Sequence, residues 1–143
     1  MTVKAILSRK GRDAVTIEPT ASIAAAAQLL GERHIGAVIV TSSEGEVVGI
    51  LSERDIVRAL AAKGTEALGL SVQNCMTRRV VSCAESDTTA VLMERMTTGK
   101  FRHIPVLEEG RLIGVVSIGD IVKDRLDEIE RESDAMRDYI LTA

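Results

Sequence analysis

The run Gly49-Ile50-Leu51-Ser52-Glu53-Arg54-Asp55-Ile56-Val57 returns as Gly114-Val115-Val116-Ser117-Ile118-Gly119-Asp120-Ile121-Val122, every matched residue 65 positions further on. Each run is a glycine, two aliphatic residues, a hydroxyl and, three residues later, a carboxylate. Internal repetition fixes the architecture before any weaker signal is read, and this repeat extends in both directions. Upstream, Val38-Ile39-Val40 answers Ile104-Pro105-Val106 at an offset of 66, the one-residue change falling in the turns at 41–45 and 107–110. Val15-Thr16-Ile17 answers Val81-Ser82-Cys83. Earlier still, Thr2-Val3 and Ile6-Leu7-Ser8 answer Ser71-Val72 and Cys75-Met76-Thr77 at an offset of 69, which leaves three extra residues in the connection 9–14. The chain thus divides into a first repeat, 2–60, a connection, 61–70, punctuated by Gly64 and Gly69, a second repeat, 71–126, and a C-terminal helical extension, 127–143.

Within the first repeat, the β-branched run 15–17 ends at Pro19. Thr20 or Ser22 can then cap a helix whose apolar residues Ile23, Ala26, Ala27 and Leu30 follow helical spacing. Segments 35–41 and 46–51 are rich in Val and Ile and flank a turn in which Gly45 supplies the unusual backbone angle, so they read as a hairpin. Ser52 starts a second helix, with Ile56, Val57 and Leu60 expected to face inward and Glu53, Arg54 and Arg58 to face water. The second repeat gives the same order: a strand at 80–83, a helix at 88–96, strands at 102–107 and 111–117, and a helix from Ile118. The predicted fold is α+β with α/β-type layers: two β-α-β-β-α repeats, related by pseudo-two-fold symmetry, each covering the sheet face that the other leaves open. In the last helix Leu126, Ile129, Met136 and Ile140 follow Val122 in steps of four and three, with Ser133 in the gap. They are expected as inward positions, of a surface helix or of one that meets a partner helix.

Composition excludes several classes. The chain has 143 residues, 45% hydrophobic and 27% charged, enough for one compact core. A net charge of −3 argues against a general nucleic-acid binder, which needs clustered Lys and Arg. No apolar run approaches a membrane span and the N-terminus has no signal-peptide core, so a cytoplasmic protein is expected. Cys75 and Cys83 have no metal-ligand spacing and read as small hydrophobes; no metal site is expected.

With these features in order, the sequence resembles a tandem pair of CBS domains, regulatory modules named after cystathionine β-synthase and also called a Bateman module. The resemblance covers roughly Thr2 to Leu126. It rests on the Gly-h-h-Ser-x-x-Asp runs (h, aliphatic) at Gly49 to Asp55 and Gly114 to Asp120, the Arg102-His103-Ile104-Pro105-Val106 strand and the Cys75-Met76-Thr77 lead-in. It implies two ligand clefts, each built from both copies. One would use Thr16, Ala21, Ile35 and Gly36 with Val115, Ser117 and Asp120. The other would use Ser82, Phe101, Arg102 and His103 with Ile50, Ser52, Arg54 and Asp55.

A hydroxyl followed three residues later by an acid is close to a helix capping box. The same helix N-terminus offers backbone N–H groups and a favourable dipole to phosphate. The carboxylate, repelled by phosphate, suits ribose hydroxyls, so Asp55 and Asp120 are expected as ribose clamps. The Asp55 cleft, with Arg54, Arg102 and His103, is expected to be the basic one, since the matching positions of the other are Gly119, Gly36 and Ala37. Phe101, the one Phe of the chain, can stack on a base there or belong to the core. Asp87, where the other copy has Ala21, is a departure that works against phosphate.

The expected function is therefore a non-catalytic sensor of adenine nucleotides, AMP foremost, with ATP, ADP or NAD(H) as alternatives. The resemblance also implies a homodimer, signalling to an unidentified regulated protein. No required cofactor, nucleic acid or membrane partner is expected. A scaffold that acts by oligomerisation without a nucleotide is the alternative. Catalysis is not expected: the only histidines are His34 and His103, neither cysteine has a matched base, and no Walker-type loop is present.

Overall fold

The computed structural model describes residues 1–142; Ala143, the last residue of the expected extension, lies outside the described residues. The order is α1 (Val3–Lys10), β1 (Thr16–Ile17), α2 (Ile23–Arg33), β2 (Ala37–Thr41), β3 (Val47–Ser52), α3 (Glu53–Lys63), a 3-10 helix (Gly64–Gly69), α4 (Val72–Cys75), α5 (Thr89–Gly99), β4 (His103–Glu108), β5 (Arg111–Ser117) and α6 (Ile118–Thr142). In the first sheet β1 runs parallel to β2, which pairs antiparallel with β3; in the second, β4 pairs antiparallel with β5. The repeat reaches fine detail. Both hairpins change register at equivalent places, Val40/Thr41 and Val106/Leu107. Both α2 and α5 end on a left-handed residue other than glycine, His34 (φ 54°) and Lys100 (φ 58°). Ser22 and Thr88 cap these helices by accepting from Ala25 and Val91 N–H.

Two sequence expectations are corrected. The strand at 80–83 does not form; only a parallel bridge joins Cys83 to Val106. In the first copy Ile39 N–H donates to the Val15 carbonyl. Its counterpart is Pro105, which has no N–H, so the matching bond to Val81 is lost and the strand shrinks to a bridge. The inward faces of the last helices are also different. Ile56 is buried, but Val57 is 63% exposed and Leu60 38%. On α6 the buried residues are Ile121 and Asp124, while Leu126, Ile129, Met136 and Ile140 face water.

Two cores hold the molecule, and each copy's lead-in helix belongs to the other copy's core. Val3, Ile6 and Leu7 of α1 pack with Cys83, Leu92, Met96, Ile104, Val106, Val116 and Ile121. Val72 of α4 packs with Ile23, Ala26, Leu30, Val38, Val40, Leu51 and Ile56. The backbone repeats the exchange bond for bond. Val3 N–H donates to the Asp87 carbonyl, Lys4 to Glu85 and Thr89 to Met1; Val72 donates to Ala21, Gln73 to Pro19 and Ile23 to Leu70. Each lead-in helix thus continues the edge of the other copy.

This exchange explains the repeated glycine. A Cβ on Gly114 would stand 2.8 Å from Leu7 Cδ2, and one on Gly49 would stand 2.5 Å from Met76 Sδ and 3.0 Å from the Thr77 carbonyl. The hairpin backbone is bare where the exchanged segment lies on it. Gly49→Val and Gly114→Val should each destabilise the protein by about 1–3 kcal/mol through overpacking. Gly31→Ala, in a helix with open space around it, should stabilise by about 0.5–1 kcal/mol. Urea denaturation of the three variants checks both signs; a neutral Gly49→Val would show that the lead-in can move aside.

Candidate functional site

The repeated hydroxyl and carboxylate sit at the starts of α3 and α6, and both form a capping box. Ser52 N–H donates to Asp55 Oδ2 (3.0 Å) and Asp55 N–H to Ser52 Oγ (3.3 Å). Ser117 N–H donates to Asp120 Oδ2 (2.8 Å) and Asp120 N–H to Ser117 Oγ (3.2 Å). Beyond the cap the two carboxylates differ. Thr77 forms a backbone pair with Ile50, and its hydroxyl lies 3.2 Å from Asp55 Oδ1. Asp55 is left 8% exposed.

At Asp120 a lysine takes that place. Ser8, the counterpart of Thr77, is inside α1 and donates to the Lys4 carbonyl, because α1 runs on to Lys10 whereas α4 stops at Cys75. Lys10 Nζ then reaches Asp120 Oδ2 (2.7 Å) and the Val115 carbonyl (2.8 Å). Burial alone would raise the Asp120 pKa, but the Lys10 and Ser117 hydrogen bonds and the Lys10 charge outweigh it and hold it below the ordinary value. The Asp120 set, in which the sequence marks no basic residue, thus has a lysine on its carboxylate. Lys10 lies far from the Ser-x-x-Asp run in sequence, and only its offset of 69 from Arg79 hints at a role.

The first-copy members of the Asp120 set line two depressions. Thr16 and Ala21, with Gln28 and Leu29, line one of about 430 Å³ between β1 and α2. Ile35 and Gly36, with Glu53 and Val57, line another of about 510 Å³. Both are walled by the first copy alone. In the second copy the ground equivalent to the first depression is crossed by an ion pair: Arg95 lies 3.3 Å from Asp87 and donates to the Ser82 carbonyl (3.1 Å). Asp87 also accepts from Ala84 N–H, so the departure noted at this position is tied into its own loop. No local pattern marks Arg95, which stands where the first copy has Leu29.

Of the Asp55 set, Arg54 donates across the copies to the Lys100 carbonyl (3.3 Å), next to Phe101. Phe101 itself packs against the second core. Arg102 is exposed, and its carbonyl accepts from Ile118 N–H. His103 also borders the other set: a Cβ on Gly36 would stand 3.5 Å from His103 Cε1, with Glu53 alongside. Asp124, 2% exposed, is a buried acid that no local motif marks; Arg9 pairs with it (3.6 Å) and with Asp127 (3.1 Å). Arg9 and Lys10 together latch α1 to α6. Burial pushes the Cys83 thiol up to about 11, with Asp87 adding and Arg95 opposing, so it is an unreactive core group. Among the described residues no His, Cys, Asp and Glu cluster could hold a metal ion, and no helix is long and apolar enough to cross a membrane.

His103 gives the site a pH signature. Burial chiefly holds it below its ordinary 6.5; Lys10 adds to this, Asp120 and Glu53 oppose, and Arg102 adds further. Unfolded His103 takes up a proton as pH falls past 6.5 while the folded residue resists, so folding loses stability as pH drops through the window below 6.5. His103→Gln should flatten that slope. Denaturation at stepped pH checks it, and an unchanged slope would place the titration elsewhere.

The CBS domain family matches residues 3–62 and 72–127. An uncharacterized 17.7 kDa protein of Acidianus ambivalens is 34% identical over 112 residues, 78% of this chain and 66% of that protein. The chain thus spans just under two thirds of that relative, and only 22% of some plant relatives. Among solved structures, a CBS-domain containing protein of Agrobacterium tumefaciens is 53% identical with a TM-score of 0.85, covering 87% of this chain and 92% of that one. The CBS domain pair of protein MJ0100, solved in complex with 5'-methylthioadenosine and S-adenosyl-L-methionine, is 26% identical with a TM-score of 0.80, covering 90% and 98%. Two family matches in tandem, on a fold whose halves exchange their lead-in helices, make this chain a CBS-domain pair and a member of the CBS-domain family.

Proposed function

We propose that the chain is a non-catalytic sensor of an adenosine-containing ligand, an adenine nucleotide such as AMP, ATP, ADP or NAD(H), with the Asp120 cleft as the principal site. The observation that carries this reading is the Lys10–Asp120 pair at the N-terminus of α6. A carboxylate and an amine side by side, next to a helix N-terminus, match the ribose and phosphate ends of a nucleotide. Ribose hydroxyls donate to Asp120 in place of Lys10, and Lys10 turns to the phosphate. The two depressions beside Thr16 and Ile35 leave room on the first-copy side. The adenosine-containing ligands of MJ0100 support the ligand class. The Asp55 site, where Thr77 engages the carboxylate and Arg95 pairs with Asp87, is secondary.

Lys10 belongs to α1, and α1 is part of the second core. Drawing Lys10 off Asp120 loosens the latch between α1 and α6 and changes how the copies sit together. Such a shift requires the ligand to favour one arrangement over the other. A partner protein reads that arrangement. A homodimer in the cytoplasm belongs to the same reading.

Isothermal titration with AMP, ADP, ATP, NADH, S-adenosyl-L-methionine and 5'-methylthioadenosine is the test. Asp120→Asn should weaken binding by roughly tenfold or more, since a hydrogen bond to a charged group contributes about 1.5–3 kcal/mol. Asp55→Asn should change it much less. Equal losses would overturn the ranking of the sites. Absence of heat and of any thermal shift with every ligand would favour the oligomerisation scaffold instead.

A further inference from the structure

We propose that residues 122–142 of α6 pair with the same helix of a second copy as a parallel, in-register two-stranded coil. The proposal rests on the homodimer reading for its occupant and gives that dimer a surface and an orientation. It does not depend on the nucleotide.

The helix has two opposed faces. Ile121 and Asp124, each 2% exposed, with the half-buried Asp127 that pairs with Arg9, meet the body of the protein. On the other side Val122 (45%), Leu126 (60%), Ile129 (46%), Met136 (61%) and Ile140 (66%) form an exposed apolar stripe. Steps of four and three make this the a/d seam of a coiled coil, with Val122, Ile129 and Met136 at d and Leu126, Ser133 and Ile140 at a. Residues 129–142 are exposed all round yet stay helical. A helical stretch of this length is marginal alone in water and gains most from a packed apolar face.

The charges beside the seam select the occupant. The e positions are Lys123, Glu130 and Arg137; the g positions are Arg125, Glu132 and Tyr139. In a parallel, in-register pair each g residue faces the partner's e residue five positions on. Arg125 then meets the partner's Glu130, and Glu132 meets the partner's Arg137. Both pairs are attractive, and symmetry doubles them. In an antiparallel pair that uses every seam residue, Glu130 faces the partner's Glu130, Glu132 the partner's Glu132, and Lys123 the partner's Arg137. Each of these contacts is repulsive. A shifted antiparallel pair brings Glu130 to the partner's Arg137 but leaves Val122 with nothing opposite; the opposite shift brings Glu130 to the partner's Lys123 but runs Ile140 past the start of the partner's helix. Arg125 is held in the monomer by Glu128 (3.1 Å), an exposed pair that exchanges at little cost. Ser133, the one polar seam residue, weakens the coil.

Light scattering and a cross-link test the proposal on the full chain. The wild type should be a dimer, and Ser133→Cys should give a disulfide-linked dimer on a non-reducing gel that the wild type does not, because only the parallel, in-register pairing sets 133 against 133. Glu130→Arg should weaken the dimer, and adding Arg125→Glu should restore it. Met136→Glu should dissociate it without loss of folding by circular dichroism. If the wild type is a dimer but Met136→Glu leaves it so, Ser133→Cys does not cross-link, or Val57→Glu on α3 dissociates it instead, the coil is overturned while the dimer reading stands. A monomeric wild type overturns both.

Discussion

The contact on which the rest depends is the laying of each lead-in segment across the hairpin of the other copy, Leu7 on Gly114 and Met76 on Gly49. Val3, Ile6 and Leu7 are at most 1% exposed and lie wholly within a core whose other members come from the second half of the chain. Neither half closes its core alone, because its sheet would lack the segment that covers it. Burying each aliphatic side chain is favourable by about 1.5–3 kcal/mol, so the exchange ties the halves together about as firmly as a core ties a domain. The pseudo-two-fold relation is therefore a condition of stability as well as a record of duplication.

The exchange also positions the chemistry. It brings Thr77 to Asp55 in one copy and Lys10 to Asp120 in the other. The difference begins in local structure. α1 continues through Ser8 to Lys10, so its hydroxyl is used within the helix and its lysine extends to the carboxylate; α4 ends at Cys75, leaving Thr77 extended and free to pair with Ile50. One motif, read twice, thus gives a carboxylate under a hydroxyl and a carboxylate under an ammonium. The second is a charge pair that joins the two halves of the chain.

Much of the fold was legible because it rests on periodicity and caps. The offsets, the Ser22 and Ser52 caps, the hairpins and the second repeat's helices all follow from local residues. The missing strand at 80–83 was legible in principle as well, through Pro105 against Ile39. Facing was harder to read. Val57, Leu126 and Met136 are apolar at helical spacing and so read as inward, yet spacing shows only that residues share a face, and here the body takes the face of Ile121 and Asp124. The carboxylate of Asp124 is buried only because Arg9, from the far end of the chain, arrives beside it.

By itself the sequence determined that there are two copies, their element order, the capping box at each Ser-x-x-Asp and the bare glycine in each hairpin, since all of these are set by residues within a few positions of one another. The tertiary structure alone decided which copy each lead-in covers, that Lys10 rather than Arg54, Arg102 or His103 is the basic group on a Ser-x-x-Asp carboxylate, and that Arg95 crosses the second copy's counterpart of the open depression. Those outcomes depend on long-range geometry: a side chain placed by one half of the chain meets a charge placed by the other, and no local pattern encodes that meeting.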